Sequence, residues 1–163
     1  MEAKYSIING RSLPISFKAS VEICSSLRHK PVKKAKTLLE QVIQMKQPIP
    51  FKRFRKETPH RRGKLAEGRY PIKASKEILK LLKSVEASAL HQGLSANLAI
   101  QEIKANQGPL QWHYGRQRRT RHKRTHILIR IAEQQAESKE KKKVTVHKSP
   151  VDAGVHKNPP GVL

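Results

Sequence analysis

Gly115-Arg116-Gln117-Arg118-Arg119-Thr120-Arg121-His122-Lys123-Arg124 holds six Arg or Lys in ten residues and no acid. On both sides the chain reads as strand, with Leu110, Trp112 and Tyr114 before it and Ile127, Ile129 and Ile131 after it. The simplest geometry is a β-hairpin with a strongly cationic tip. Cations packed this closely repel one another unless a polyanion sits between them, so such a finger suits RNA or DNA phosphates.

The whole chain agrees with its densest part. The formal charge is +23 over 163 residues, enough to attract phosphate backbones through counterion release with little regard to base sequence. Lys and Arg fall in blocks, which separates this chain from one that is merely soluble and cationic. An anionic membrane surface would call for a basic amphipathic helix, whereas the densest block lies between strand-like segments. No apolar run approaches the roughly 20 residues of a membrane span. The N-terminus lacks the apolar core of a signal peptide, and an intracellular location is expected.

The length fits one domain over residues 1–133 with a tail at 134–163. The tail carries Lys139, Lys141, Lys142 and Lys143 with Pro150, Pro159 and Pro160, and no aromatic residue. That composition predicts a basic, mobile or partner-ordered segment. The single cysteine, Cys24, excludes an intramolecular disulfide and sits in an apolar pattern, so a buried inert thiol is expected.

Near the N-terminus, Tyr5 to Ile8 and Ile15 to Phe17 read as two short extended segments, with Asn9-Gly10 as a turn between them. Ser20 is the expected cap of a helix over Val21 to Arg28. Pro31 opens a second helix, in which Ala35, Leu38, Leu39, Val42 and Ile43 form one apolar stripe; Pro48 and Pro50 end it. Lys33, Lys34 and Lys36 lie near its start, where the helix dipole disfavours cations. They are either phosphate contacts or a solvated face. Phe51 to Lys64 is basic and irregular, and Phe51 and Phe54 read as anchors of this loop on the core in preference to base-stacking platforms. Gly68-Arg69-Tyr70-Pro71 is a turn that starts a third helix with a stripe of Ile78, Leu81, Leu82, Val85 and Ala89. Gly93 is its C-terminal cap. Ile100 and Ile103 break the two-residue register, so the first strand of the hairpin is expected to bulge.

Enzymatic chemistry finds no support. Eight histidines with one cysteine do not make a two-Cys, two-His zinc site. His122 and His126 are four apart, a spacing that suits a helix and not a hairpin arm. There is no paired-carboxylate motif, phosphate loop, nucleophile elbow or redox pair. No metal and no cofactor are expected.

In order and spacing these blocks resemble the large-subunit ribosomal protein L-twenty-two family in its archaeal and eukaryotic form, called L-seventeen in eukaryotes. The resemblance rests on Lys33-Lys34-Ala35 with its helix, Pro50-Phe51-Lys52-Arg53-Phe54, His60-Arg61-Arg62-Gly63, and Gly68-Arg69-Tyr70-Pro71-Ile72-Lys73-Ala74. The helix from Ile78 to Leu90 and the strand Thr125 to Ile129 complete it. The chain departs from the family pattern at Tyr114-Gly115-Arg116, at Arg119-Thr120-Arg121 and at Ser88-Ala89.

The resemblance implies an α+β fold, three helices packed on a small three-stranded antiparallel sheet, with a long protruding β-hairpin at about 104–125 and the basic tail beyond. It implies a structural constituent of the cytoplasmic large ribosomal subunit that binds large-subunit ribosomal RNA, supports assembly and lines the peptide exit tunnel with its hairpin. Implied partners are that RNA, neighbouring ribosomal proteins and the nascent polypeptide, with no membrane and no homo-oligomer. The tip residues assigned to RNA are Arg116, Arg118, Arg119, Arg121, Lys123 and Arg124. Those of the globular part are Lys33, Lys34, Lys52, Arg53, Arg55, His60, Arg61, Arg62 and Arg69. An architectural DNA-binding protein or a ribosome assembly factor is the alternative, although a minor-groove arm usually carries an apolar wedge and Gly115 to Arg124 has none.

Overall fold

The computed structural model describes residues 5–62, 65–117 and 119–134. In chain order they form β1 (Tyr5–Leu13), α1 (Phe17–Leu27), α2 (Val32–Ile43), β2 (Ile49–Pro50), β3 (Gly68–Arg69), α3 (Ile72–His91), β4 (Leu98–Gln107), a single 3-10 turn (Gly115–Gln117) and β5 (Thr125–Glu133). This is the expected α+β architecture of three helices on a three-stranded antiparallel sheet, in the order β1-β5-β4. Two-residue β2 and β3 pair separately, Ile49 with Arg69 and Pro50 with Gly68.

Ile127, Ile129 and Ile131 of β5 are fully buried. They alternate with half-buried His126, Leu128 and Arg130, as a strand with one face on the core requires. The helices supply the opposing surface. Ala35, Leu39 and Val42 of α2 and Ile78, Leu82, Val85 and Ala89 of α3 are buried, while Leu38 and Leu81 flank the core. Each stripe recurs at three and four residues, so each helix has one apolar face and settles it on the sheet. Lys36 of α2 is ion-paired with Glu86 of α3, and so ties two helices together. Cys24 is buried in the same core, as expected of an inert thiol.

Local expectations hold in some places and fail in others. The expected bulge is present between Ile100 and Glu102. Gly93 has a positive φ of 73° just past the C-cap Gln92, and its N–H donates to the Leu90 carbonyl at 3.0 Å. Asn9-Gly10 makes no turn, since β1 runs through it without a break. Gly10 leaves room there for Leu81: a Cβ at this position would lie 2.7 Å from Leu81 Cδ1, and that side chain would have to shift. The irregularity in β1 comes later, between Gly10 and Leu13, where Ser12 takes a φ of 53°.

Helix α1 starts at Phe17, four residues before its expected start, with Ser16 at the N-cap position. Ser20 is therefore inside the helix, its hydroxyl donating to the Ser16 carbonyl at 2.9 Å. Phe17 is helical and not extended. Helix α2 stops at Ile43, before either proline, and Met45 turns the chain with a φ of 57°. Gly68-Arg69 is a short strand, and only Tyr70-Pro71 leads into α3.

The β4–β5 ladder ends at Gln107 and Thr125. Leu110, Trp112 and Tyr114 do not continue it as a strand; only Trp112 makes an isolated bridge, to Arg121. Pro109 has no N–H to donate. Tyr114 is 90% exposed and Trp112 58% exposed, so these side chains have no apolar face to bury against. The two legs are held by separate bonds: Gly108 N–H to Arg124 O, His122 N–H to Gln111 O and His113 N–H to Thr120 O. Residues 135–163, which make up nearly all of the expected tail, lie outside the described residues.

Candidate nucleic-acid interface

The basic loop after β2 is built around a carboxylate. Glu22, in the middle of α1, is 3% exposed, and its Oε1 accepts the backbone N–H of Arg53 at 2.7 Å and of Phe54 at 2.9 Å. Two amides on one carboxylate oxygen fix the direction of the loop, and bonds to a charged acceptor are about twice as strong as neutral ones. Phe51 is buried. Phe54 meets Phe17 edge to face at 6.4 Å. Both rings thus anchor the loop, as the sequence predicts, although Phe54 is only half-buried and keeps part of its ring exposed. Glu22 gave no sign of its role in the sequence, because a lone acid in a helix resembles any solvated charge.

The side chains of this loop then stand outward. Lys52, Arg53, Arg55, His60, Arg61, Arg62 and Arg69 are all exposed. Two of them also brace the loop. Arg61 Nε donates to the Gly68 carbonyl at 3.2 Å, with its guanidinium 5.2 Å from the Tyr70 ring centre. Arg69 Nη2 donates to the Glu57 carbonyl at 2.8 Å and lies over Phe51. A guanidinium has five N–H donors, so each retains capacity for an anion. The backbone of His60 bridges to Glu67. Lys33 and Lys34 are exposed on a separate shallow surface of α2, beside Lys30.

The expected tip divides in two. Arg116, in the 3-10 turn, and Arg119 are exposed at the far end. Arg118 lies outside the described residues. Arg121, Lys123 and Arg124 line the returning leg instead, and Arg124 stands opposite Gly108 at the root of the loop. Arg121 covers the Trp112 ring at 4.1 Å, a close cation–π contact. Arg124 Nη1 donates to the Ser12 carbonyl at 3.2 Å, while the Ser12 N–H donates to His126 Nδ1 at 3.0 Å. The bulge in β1 therefore grips the base of this leg through both backbone groups of one residue. His126 is occupied there and does not join His122. His122 stacks on His113 with ring centres 3.4 Å apart. Desolvation, then His113 and Arg124, hold the His122 pKa below its ordinary value.

The tertiary structure joins the leg to the loop. A cleft of about 610 Å³ is walled by Arg53, Phe54 and Arg55 from the loop, by Arg69, by Lys18 from α1 and by Lys123 from the leg. Residues over a hundred positions apart thus share one cationic surface. In the sequence Lys18 is an isolated lysine, and only the fold brings it, at the first turn of α1, to the same cleft as Lys123.

Fold and charge define the class: a small basic α+β domain that presents exposed cations on an irregular loop and a strand connection, with a separate lysine group at α2. Over residues 8–132 the chain matches the model of the family described as Ribosomal protein L22p/L17e. It belongs to that family, whose members are structural and non-enzymatic ribosomal proteins. It is similar to the large ribosomal subunit protein uL22 of Archaeoglobus fulgidus, 47% identical over 110 residues that cover 66% of this chain and 71% of that protein. The uL22 of Nanoarchaeum equitans is 38% identical over 130 residues, 75% of each chain. The uL22 of Methanocaldococcus jannaschii is 44% identical over 102 residues, and the matched stretch spans 65% of its length. These relatives agree with the archaeal and eukaryotic type expected from the sequence.

Proposed function

We propose that this protein is a constituent of the cytoplasmic large ribosomal subunit that binds large-subunit ribosomal RNA and supports assembly of the particle. In this reading residues 1–133 are the ribosomal-protein domain and 134–163 a basic extension. Neighbouring large-subunit proteins are its other partners. The connection 104–125 reaches into the subunit as a finger, lines the peptide exit tunnel and meets the nascent polypeptide near its end.

One observation carries the reading: in a chain of this family, Arg53, Arg55 and Lys56 of the basic loop, Arg69 of β3, Lys18 of α1 and Lys123 of the returning leg meet at one cleft. Arginine suits such a place. It stays charged, pairs bidentately with phosphate and stacks on bases. The RNA contacts are Arg116, Arg118, Arg119, Arg121, Lys123 and Arg124 on the finger. Lys33, Lys34, Lys52, Arg53, Arg55, His60, Arg61, Arg62 and Arg69 serve in the globular part.

Sedimentation of cell extract through a high-salt sucrose gradient tests this. The chain is expected to travel with mature large subunits and translating ribosomes and to survive the wash. Recovery with DNA would replace the reading with an architectural DNA-binding role, and confinement to precursor particles would replace it with an assembly factor.

A further inference from the structure

A second cleft, of about 360 Å³, adjoins the first, and the two share Ser16, Lys18 and Lys123 in their walls. They meet at the first turn of α1 and together make a trench from the loop to the root of the leg. Both volumes fall within the roughly 300–1,000 Å³ of sites that enclose small ligands. The larger part carries Lys18, Arg53, Arg55, Lys56, Arg69 and Lys123 against one acid, Glu57. The smaller part adds Arg121 and Arg124 and has no acid in its wall. Among the described residues, none of these cations is in an ion pair. Phe54 is half-buried in the larger part, held by Phe17 and flanked by Lys18 at 5.8 Å and Arg53 at 5.6 Å from its ring centre.

A concave wall that combines cations with a fixed aromatic ring is poorly matched to a duplex, whose bases are hidden in the stack. It suits a single strand, which offers phosphates and base faces together. We propose that this trench takes a stretch of single-stranded RNA, with one unstacked nucleotide in the larger cleft against Phe54 and Arg53, and with Lys18 and Lys123 on the phosphates beside it. The inference rests on the RNA-binding reading above. It adds the kind of strand and a contact residue, Lys18, that the basic blocks of the sequence do not include.

The test uses the full chain, a fluorescent oligouridylate of about ten nucleotides and a blunt RNA duplex of equal length, with binding measured across a salt series. The single strand is expected to bind at least about tenfold more tightly than the duplex. Lys18→Ala with Lys123→Ala should lower the single-strand salt slope by about 1.4, at roughly 0.7 per phosphate contact. Phe54→Leu should weaken the single strand about tenfold at an unchanged slope, within the range of one base–aromatic stack. Phe54→Tyr, which keeps the ring, should bind as the parent does, and circular dichroism checks that each variant is folded. Equal competition by the duplex, or unchanged binding by folded Phe54→Leu, overturns the proposal. Sedimentation with large subunits that persists alongside such a result would remove the trench alone and leave the ribosomal reading standing. A chain that does not sediment removes the latter, whatever the oligonucleotide does.

Discussion

Glu22 Oε1 accepts the backbone N–H of Arg53 at 2.7 Å, and through this bond a buried helix residue sets the direction of the basic loop. Removing the carboxylate leaves two amides without their acceptor, those of Arg53 and Phe54. Hydrogen bonds to charged groups contribute about 1.5–3 kcal/mol each, not additively. Glu22→Ala is expected to lower unfolding free energy by about 2–4 kcal/mol in urea titrations, and Glu22→Gln, which keeps an oxygen, by less. Equal losses would mean that burial of the side chain matters and the acceptor does not.

Gly10 and Leu81 compete for one volume. A Cβ on Gly10 meets the end of a flexible side chain, so Gly10→Ala is expected to cost under about 1 kcal/mol as Leu81 shifts. Gly10→Val adds two more carbons and is expected to cost about 1–3 kcal/mol, the range for overpacking. Leu81→Ala in the same chain should recover part of that loss. A double-mutant cycle with no coupling energy would refute the assignment.

His122, whose ring stacks on His113, is expected to make this connection sensitive to pH. The folded-state pKa of His122 is lowered, so folding favours its neutral form. The stacked arrangement is fully present above the ordinary histidine pKa, near 6.5. It is lost as pH falls through the lowered folded value. Histidine ring NMR signals are expected to show His122 titrating below His113-free peptide controls, and His113→Gln should move it upward. No movement would detach the shift from the neighbouring ring.

Cys24 should be chemically silent in the folded protein. Burial pushes its thiol up to about 12, against a small opposing effect of Arg28. At pH 8 it is almost wholly protonated, and only the thiolate reacts readily. Alkylation is expected only after denaturant is added; rapid labelling of the native chain would show that this part of the core opens.

Arg118→Ala, Arg119→Ala and Arg121→Ala combined should weaken RNA binding and flatten its salt slope by up to about 3, at roughly one counterion per phosphate contact. Arg121→Ala alone should also alter the Trp112 emission, since its guanidinium covers that ring. An unchanged slope would remove these three from the contact set.

The two interior helices and the central strand were legible from periodicity, because Leu39, Ile78, Leu82 and Ile129 recur at the spacing of their element and can be buried in only one way. The basic blocks were legible as charge, and Phe51 and Phe54 as anchors. Boundaries were less so. Asn9-Gly10 carries a turn signal, yet pairing of β1 with β5 and the approach of Leu81 hold it extended. Ser20 is a good cap, but Ser16 lies earlier and the helix forms from there.

The sequence by itself determined what the parts are: apolar stripes that must face inward, and a surplus of cations that must face water or a polyanion. Only the tertiary structure decided which parts meet. Glu22 under the loop, Ser12 gripping Arg124 and His126, and Lys18 beside Lys123 are contacts between distant segments. Such pairs leave no periodic trace in the chain, because what brings them together is the packing of α1, β1 and β5 on one shared core.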